Sequence, residues 1–131
     1  MKKILFTLLL LISSLYAELK NESLSKKMLN SKIPIVDIRT TGEWIETGII
    51  KDSIPIMFFD EQGKYDVKAF VNELNQKVDT TKPFAIICRT GNRTKMVSAY
   101  LANELHYKVT NIVGGITYPE MKNPPFTKYK K

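Results

Sequence analysis

Apolar residues in this chain fall into short runs, and the stretches between them repeat with a helical period. Residues 33–38 are mostly apolar and interrupted by Pro34; they predict a short strand with Asp37 and Arg39 at its end. Residues 42–46 predict one short helix, with Thr40 or Thr41 as the cap whose hydroxyl accepts from a first-turn N–H. A second apolar run, 54–59, contains Pro55, which predicts an irregular or edge strand because proline donates nothing to a ladder. The polar residues 60–64 turn the chain. Over 66–78, Val67, Phe70, Val71, Leu74 and Val78 recur at helical spacing and give the clearest amphipathic helix of the sequence.

The run 84–88 predicts the central buried strand. Residues 92–105 follow as a helix with Val97, Tyr100, Leu101 and Leu105 on one face. Residues 109–113 predict another strand, broken by Gly114 and Gly115. Short apolar strands alternating with helices define an α/β fold with a parallel sheet. No repeat, low-complexity tract or linker divides the chain. Open α/β sheets place their sites beyond the carboxyl ends of strands. Asp37, Arg39, Cys88, Gly114 and Gly115 all stand there, so they are expected to gather on one edge.

The first seventeen residues have a different character. Met1, Lys2 and Lys3 form a basic start, 4–12 are apolar apart from Thr7, and 13–17 end on the small residue Ala17. This is the three-part layout of a secretory signal peptide. A membrane anchor needs about 20 apolar residues, more than 4–17 supplies, so stable membrane insertion is not expected. The expectation is export, periplasmic in a Gram-negative bacterium. Residues 18–131 then form one domain, long enough for a core and too short for two.

Loss of Lys2 and Lys3 lowers the formal charge from +7 to +5. Such a balance can draw small anions to a site. The lysines are scattered, which argues against nucleic acid as a partner, and Lys122, Lys128, Lys130 and Lys131 are expected to form a solvated tail. One cysteine and one histidine, His106, allow neither an internal disulfide nor a structural zinc site, and no cofactor is called for. His106 is expected at a helix end or on the surface.

Cys88 ends the central strand, and Arg89, Thr90, Gly91, Asn92, Arg93 and Thr94 lead into a helix. That order aims backbone N–H groups and a helix N-terminus at one sulfur, which favours the thiolate. Free cysteine is often a core residue, but two arginines within five residues fit poorly with an apolar core. Asn92 is expected to shape the turn, since asparagine tolerates left-handed φ. Asp37 and Arg39 are expected to lock loops together by ion pairing, Trp44 to pack, and Gly114 with Gly115 to make a tight turn.

The loop from Cys88 to Thr94 resembles the active-site loop of single-domain rhodaneses, the sulfurtransferase family. Val36-Asp37-Ile38-Arg39 followed by Glu43-Trp44, and later Gly114-Gly115-Ile116, resemble two further family motifs in the same order. The resemblance covers roughly 33–125. It implies a three-layer α/β/α domain with a five-stranded parallel sheet, a persulfide intermediate on catalytic Cys88, and a substrate-binding loop of Arg89, Thr90, Gly91, Asn92, Arg93 and Thr94. The sequence departs from the family pattern after Gly48, at Ile49, Asp52 and Ser53, and again where Tyr118-Pro119 stands near a usual tryptophan. These departures bear on the wall that faces substrate.

The chemistry expected is two-step sulfur transfer. A small anionic donor such as thiosulfate loads Cys88, and a thiol or cyanide acceptor then takes the sulfur, by covalent catalysis. Arg89 and Arg93 are expected to supply a positive field for the anion. Two rivals share the cysteine. One is a persulfide carrier that serves a protein acceptor without turnover. The other is a cysteine phosphatase or arsenate reductase, whose Cys-x5-Arg loop would need arginine at position 94, where Thr94 stands.

Overall fold

The computed structural model describes residues 18–131; the signal segment expected over 1–17 lies outside the described residues. Strands β1 (Leu19–Ser23), β2 (Ile35–Asp37), β3 (Ile49–Ile50), β4 (Ile54–Pro55), β5 (Phe84–Ile87), β6 (Val109–Val113) and β7 (Phe126–Thr127) are joined by four helices, α1 (Lys26–Asn30), α2 (Thr41–Thr47), α3 (Val67–Lys77) and α4 (Asn92–Asn103). Five strands form one sheet in the order β1-β6-β5-β2-β4, and every pair in it is parallel. β3 and β7 make a separate two-stranded antiparallel ribbon.

β5 is the middle strand and all four of its residues are buried. Side chains alternate across a sheet, so Phe84, Ile86 and Cys88 enter one core while Ala85 and Ile87 enter the other. The first core is closed by Phe70 and Leu74 of α3 and by Val97 and Leu101 of α4. The second is closed by Met28 of α1 together with Leu24, Ile50 and Ile112. The architecture is the expected three-layer α/β/α with a five-stranded parallel sheet.

Each helix start has a local cause. Ser25 caps α1 by accepting from Met28 N, and Asp66 caps α3 by accepting from Ala69 N. Thr40 caps α2 in a reciprocal box with Glu43. α4 has no side-chain cap; its N-cap is Gly91 in the left-handed region, φ 98°.

Several expectations shift. Strand 33–38 narrows to Ile35–Asp37, and 54–59 yields only the two-residue edge strand at Ile54–Pro55. α4 stops at Asn103, and exposed His106 follows with φ 58°. Tyr100 is partly exposed instead of facing the core. The C-terminal segment is only partly a solvated tail: β7 pairs with β3, and the Tyr129 ring lies 5.2 Å from that of buried Trp44. Among the described residues no helix is long and apolar enough to cross a membrane.

Candidate active site

Parallel strands β2, β5 and β6 lie side by side, so the residues beyond their carboxyl ends meet at one edge. Cys88 follows β5 directly. Its carbonyl oxygen accepts from Ile116 N at 3.0 Å, and the Arg89 carbonyl oxygen accepts from Thr117 N at 3.0 Å and Thr117 Oγ1 at 2.8 Å. With those carbonyls tied to the turn after β6, the loop bends back over the cysteine. Gly91 N then donates to Cys88 Sγ at 3.2 Å. Thr94 Oγ1, in the first turn of α4, lies 3.6 Å from the sulfur, and its hydroxyl can swing between Sγ and the Gly91 carbonyl oxygen at 3.3 Å.

Two glycines, Gly91 and Gly115, permit this closeness. A Cβ on Gly91 would come 2.8 Å from Gly114 N. A Cβ on Gly115, at φ +55°, would collide with the carbonyl oxygens of Cys88 and Arg89. The expected tight turn at Gly114 and Gly115 is therefore also the backing of the cysteine loop. Left-handed backbone within the loop falls on Gly91, not on Asn92, which is the first residue of α4.

Cys88 is both core and site. It is 1% exposed and belongs to the α3/α4 core, yet a backbone N–H and a hydroxyl surround its sulfur. The flanking arginines do not contradict that burial, because Arg89 is exposed and Arg93 is paired with Glu43. Asp37 and Arg39 behave as expected and are fully buried. Arg39 Nε and Nη2 donate to both Asp37 carboxylate oxygens at 2.8–3.1 Å, Nη1 donates to Thr47 Oγ1 at 2.7 Å, and Nη2 also reaches the Gly48 carbonyl oxygen at 2.8 Å. The pair ties the end of β2 to the end of α2.

Arg93 differs from expectation. Its Nη1 and Nη2 donate to Glu43 Oε1 and Oε2 at 2.7 and 2.8 Å. Burial alone would raise the Glu43 carboxyl. The Arg93 hydrogen bonds, with Thr40 and the guanidinium charge, outweigh it and hold Glu43 below its ordinary value. The bond to Glu43 raises Arg93 above its ordinary value despite desolvation. Both stay ionised at neutral pH, and Arg93's charge is cancelled locally rather than offered to an anion.

A cavity of about 530 Å³ opens between α2 and the loop. Arg39, Glu43, Glu46 and Thr47 line one side; Arg89, Thr90, Asn92 and Arg93 line the other. Of the predicted loop residues, Gly91 and Thr94 hold the sulfur from below, and the remaining four face this space. Asp52 and Ser53 line a different cavity beside Pro34 and Ile35, at the start of β2, so these departures from the family pattern lie away from the cysteine. The acidic lining, Glu43 and Glu46, was not singled out from the sequence as part of the site. The Thr40-x-x-Glu43 capping box was the available signal for Glu43.

A buried cysteine cradled at the carboxyl edge of a parallel sheet, beneath a short Gly-containing loop, defines a class: a thiol-centred α/β domain. The sequence profile of the rhodanese-like domain matches residues 18–118, and this chain belongs to that family. A sulfurtransferase of Allochromatium vinosum is 30% identical over 100 residues, covering 76% of this chain and 83% of its own. An uncharacterized protein of Rickettsia prowazekii is 31% identical over 91 residues, covering 67% and 72%. The crystal structure of a rhodanese-like domain protein from Staphylococcus aureus superposes with a TM-score of 0.53 at 23% identity, covering 76% of this chain and 93% of that one; it supports the fold.

Proposed function

We propose that the protein is a sulfurtransferase that carries a sulfane sulfur on Cys88, taking it from thiosulfate or an organic persulfide and passing it to a thiol or cyanide. With thiosulfate, the Cys88 thiolate attacks the outer sulfur. The Sγ–S bond forms, the donor S–S bond breaks, and its electron pair leaves with sulfite. An acceptor thiolate then attacks the outer sulfur of the Cys88 persulfide and regenerates the Cys88 thiolate. The two half-reactions are covalent catalysis and require no added oxidant or metal.

The observation that carries this reading is the Gly91 N–H pointed at Sγ within a loop that closes at Arg93, one residue short of the Cys-x5-Arg pattern. A negative charge on the attacking or persulfide sulfur gains from that donor and from the uncapped start of α4. The smaller ring suits one sulfur better than a tetrahedral oxyanion. Export, predicted from 1–17, belongs to the same proposal, with the mature domain working outside the cytoplasm.

The test is intact-protein mass after incubation with thiosulfate, followed by cyanide. Wild type is expected to gain one sulfur and return to its original mass as thiocyanate appears; Cys88→Ser should do neither while keeping its fold. Loading that is discharged only by an added protein would favour the carrier reading. Hydrolysis of aryl phosphates without sulfur uptake would overturn both.

A further inference from the structure

The charges around the cavity above the cysteine loop cancel in pairs. Arg39 is sealed against Asp37, with neither side chain exposed. Arg93 is held fork to fork by Glu43. Two charged lining residues are left over, Arg89 on the loop side and Glu46 on the α2 side, and among the described residues neither makes an ion pair. The space is therefore dipolar rather than cationic, with a free guanidinium on one wall and a free carboxylate on the other. A dianion such as thiosulfate would gain from Arg89 but be repelled by Glu46. The volume, about 530 Å³, falls within the roughly 300–1,000 Å³ of small-molecule clefts and is far more than a sulfur oxyanion fills.

Resting on the sulfur-transfer reading above, we propose that this cavity selects a zwitterionic donor: the persulfide of a small aminothiol acid, with its ammonium at Glu46 and its carboxylate at Arg89. The donor is R–S–SH. The Cys88 thiolate attacks its outer sulfur, the new Sγ–S bond forms as the donor S–S bond breaks, and R–S⁻ leaves with the electron pair. The proton stays on the outer sulfur of Cys88–S–SH, and charge is the same on both sides. No oxidant or reductant is needed. Glu46 acts on the donor's ammonium and not on the reacting sulfur, so its effect should depend on whether the donor carries one.

The experiment is single-turnover loading of Cys88, followed by intact-protein mass, with three donors: cysteine persulfide, 3-mercaptopropionate persulfide (the same skeleton without the ammonium) and thiosulfate. With each rate divided by that donor's rate with a free thiol at the same pH, which removes the difference in leaving-group pKa, wild type is expected to load from cysteine persulfide about fivefold faster than from the des-amino donor at low concentration, as befits a partly solvated ion pair worth about 1 kcal/mol. Glu46→Gln should bring that ratio close to one and should speed loading from thiosulfate. A ratio near one in wild type, or a preference that survives Glu46→Gln, overturns the zwitterion proposal while leaving sulfur transfer intact. Absence of loading from all three donors overturns the sulfur-transfer reading, and this proposal with it.

Discussion

Arg93 and Glu43 are fifty residues apart in sequence, yet their side chains meet fork to fork at 2.7 and 2.8 Å and fasten the cysteine loop to α2. Removing one partner exposes the other's charge to the site, and the two removals have opposite signs. Arg93→Ala leaves a bare carboxylate beside the loop; Glu43→Gln leaves a bare guanidinium. Thiosulfate should load Glu43→Gln at least about tenfold faster than Arg93→Ala, a difference of ~1.4 kcal/mol in barrier. Single-turnover mass spectrometry measures it. Equal losses in both variants would reduce the pair to a mechanical fastener.

The same pair predicts an acid dependence of stability. The folded Glu43 carboxyl titrates below its ordinary value of 4.5, so its contribution is complete above that pH and is lost as pH falls through the lowered value. Arg93 is shifted upward and stays charged throughout. Urea unfolding between about pH 7 and pH 3 should therefore show a shallower acid loss for Glu43→Gln than for wild type. Parallel curves would contradict the linkage.

Gly115→Ala should disable the site through the backbone. The new Cβ would sit at positive φ and collide with the Cys88 and Arg89 carbonyl oxygens, a cost of at least about 2 kcal/mol with loss of sulfur uptake. Gly63→Ala is the control. It shares a positive φ but has nothing within 4 Å, so it should cost about 1 kcal/mol and leave uptake unchanged. Denaturation midpoints and intact mass separate the two.

Arg39→Met would leave the buried Asp37 carboxylate without its partner and should cost about 3–5 kcal/mol. Arg39→Lys should recover only part of this, because one ammonium cannot serve two carboxylate oxygens, Thr47 Oγ1 and the Gly48 carbonyl together. Chemical denaturation of both variants checks the order.

Cleavage of a signal segment predicts a native protein that begins at or near Glu18, one residue before β1. N-terminal sequencing of protein from the native cell decides it. A cytosolic protein that retains Met1 would overturn export.

The middle of the fold was legible because its causes are local. The apolar run 84–88, set between Pro83 and Arg89, made β5, and Gly91 marked the turn into α4. β1 was not legible: Lys20, Asn21 and Glu22 are exposed, and the strand is defined by the backbone it offers β6. β3 and β7 are two residues each and distant in sequence, so neither carries a periodic signal. At the site, the cysteine, its loop and the Asp37–Arg39 lock could be read from neighbouring residues. Glu43's grip on Arg93 could not, because it depends on tertiary placement of α2.

The pairing of Leu19–Ser23 with Val109–Val113 spans ninety residues and joins the edge strand β1 to β6, the neighbour of β5. Contacts this distant in sequence carry a larger loop-closure cost than local ones. The turn at Gly114 to Thr117, which ties back the Cys88 and Arg89 carbonyls, follows β6. Until that turn forms, Cys88 lacks the amide and hydroxyl that surround it in the folded domain. The sulfur's surroundings therefore exist only in the finished fold, assembled from segments far apart in the chain.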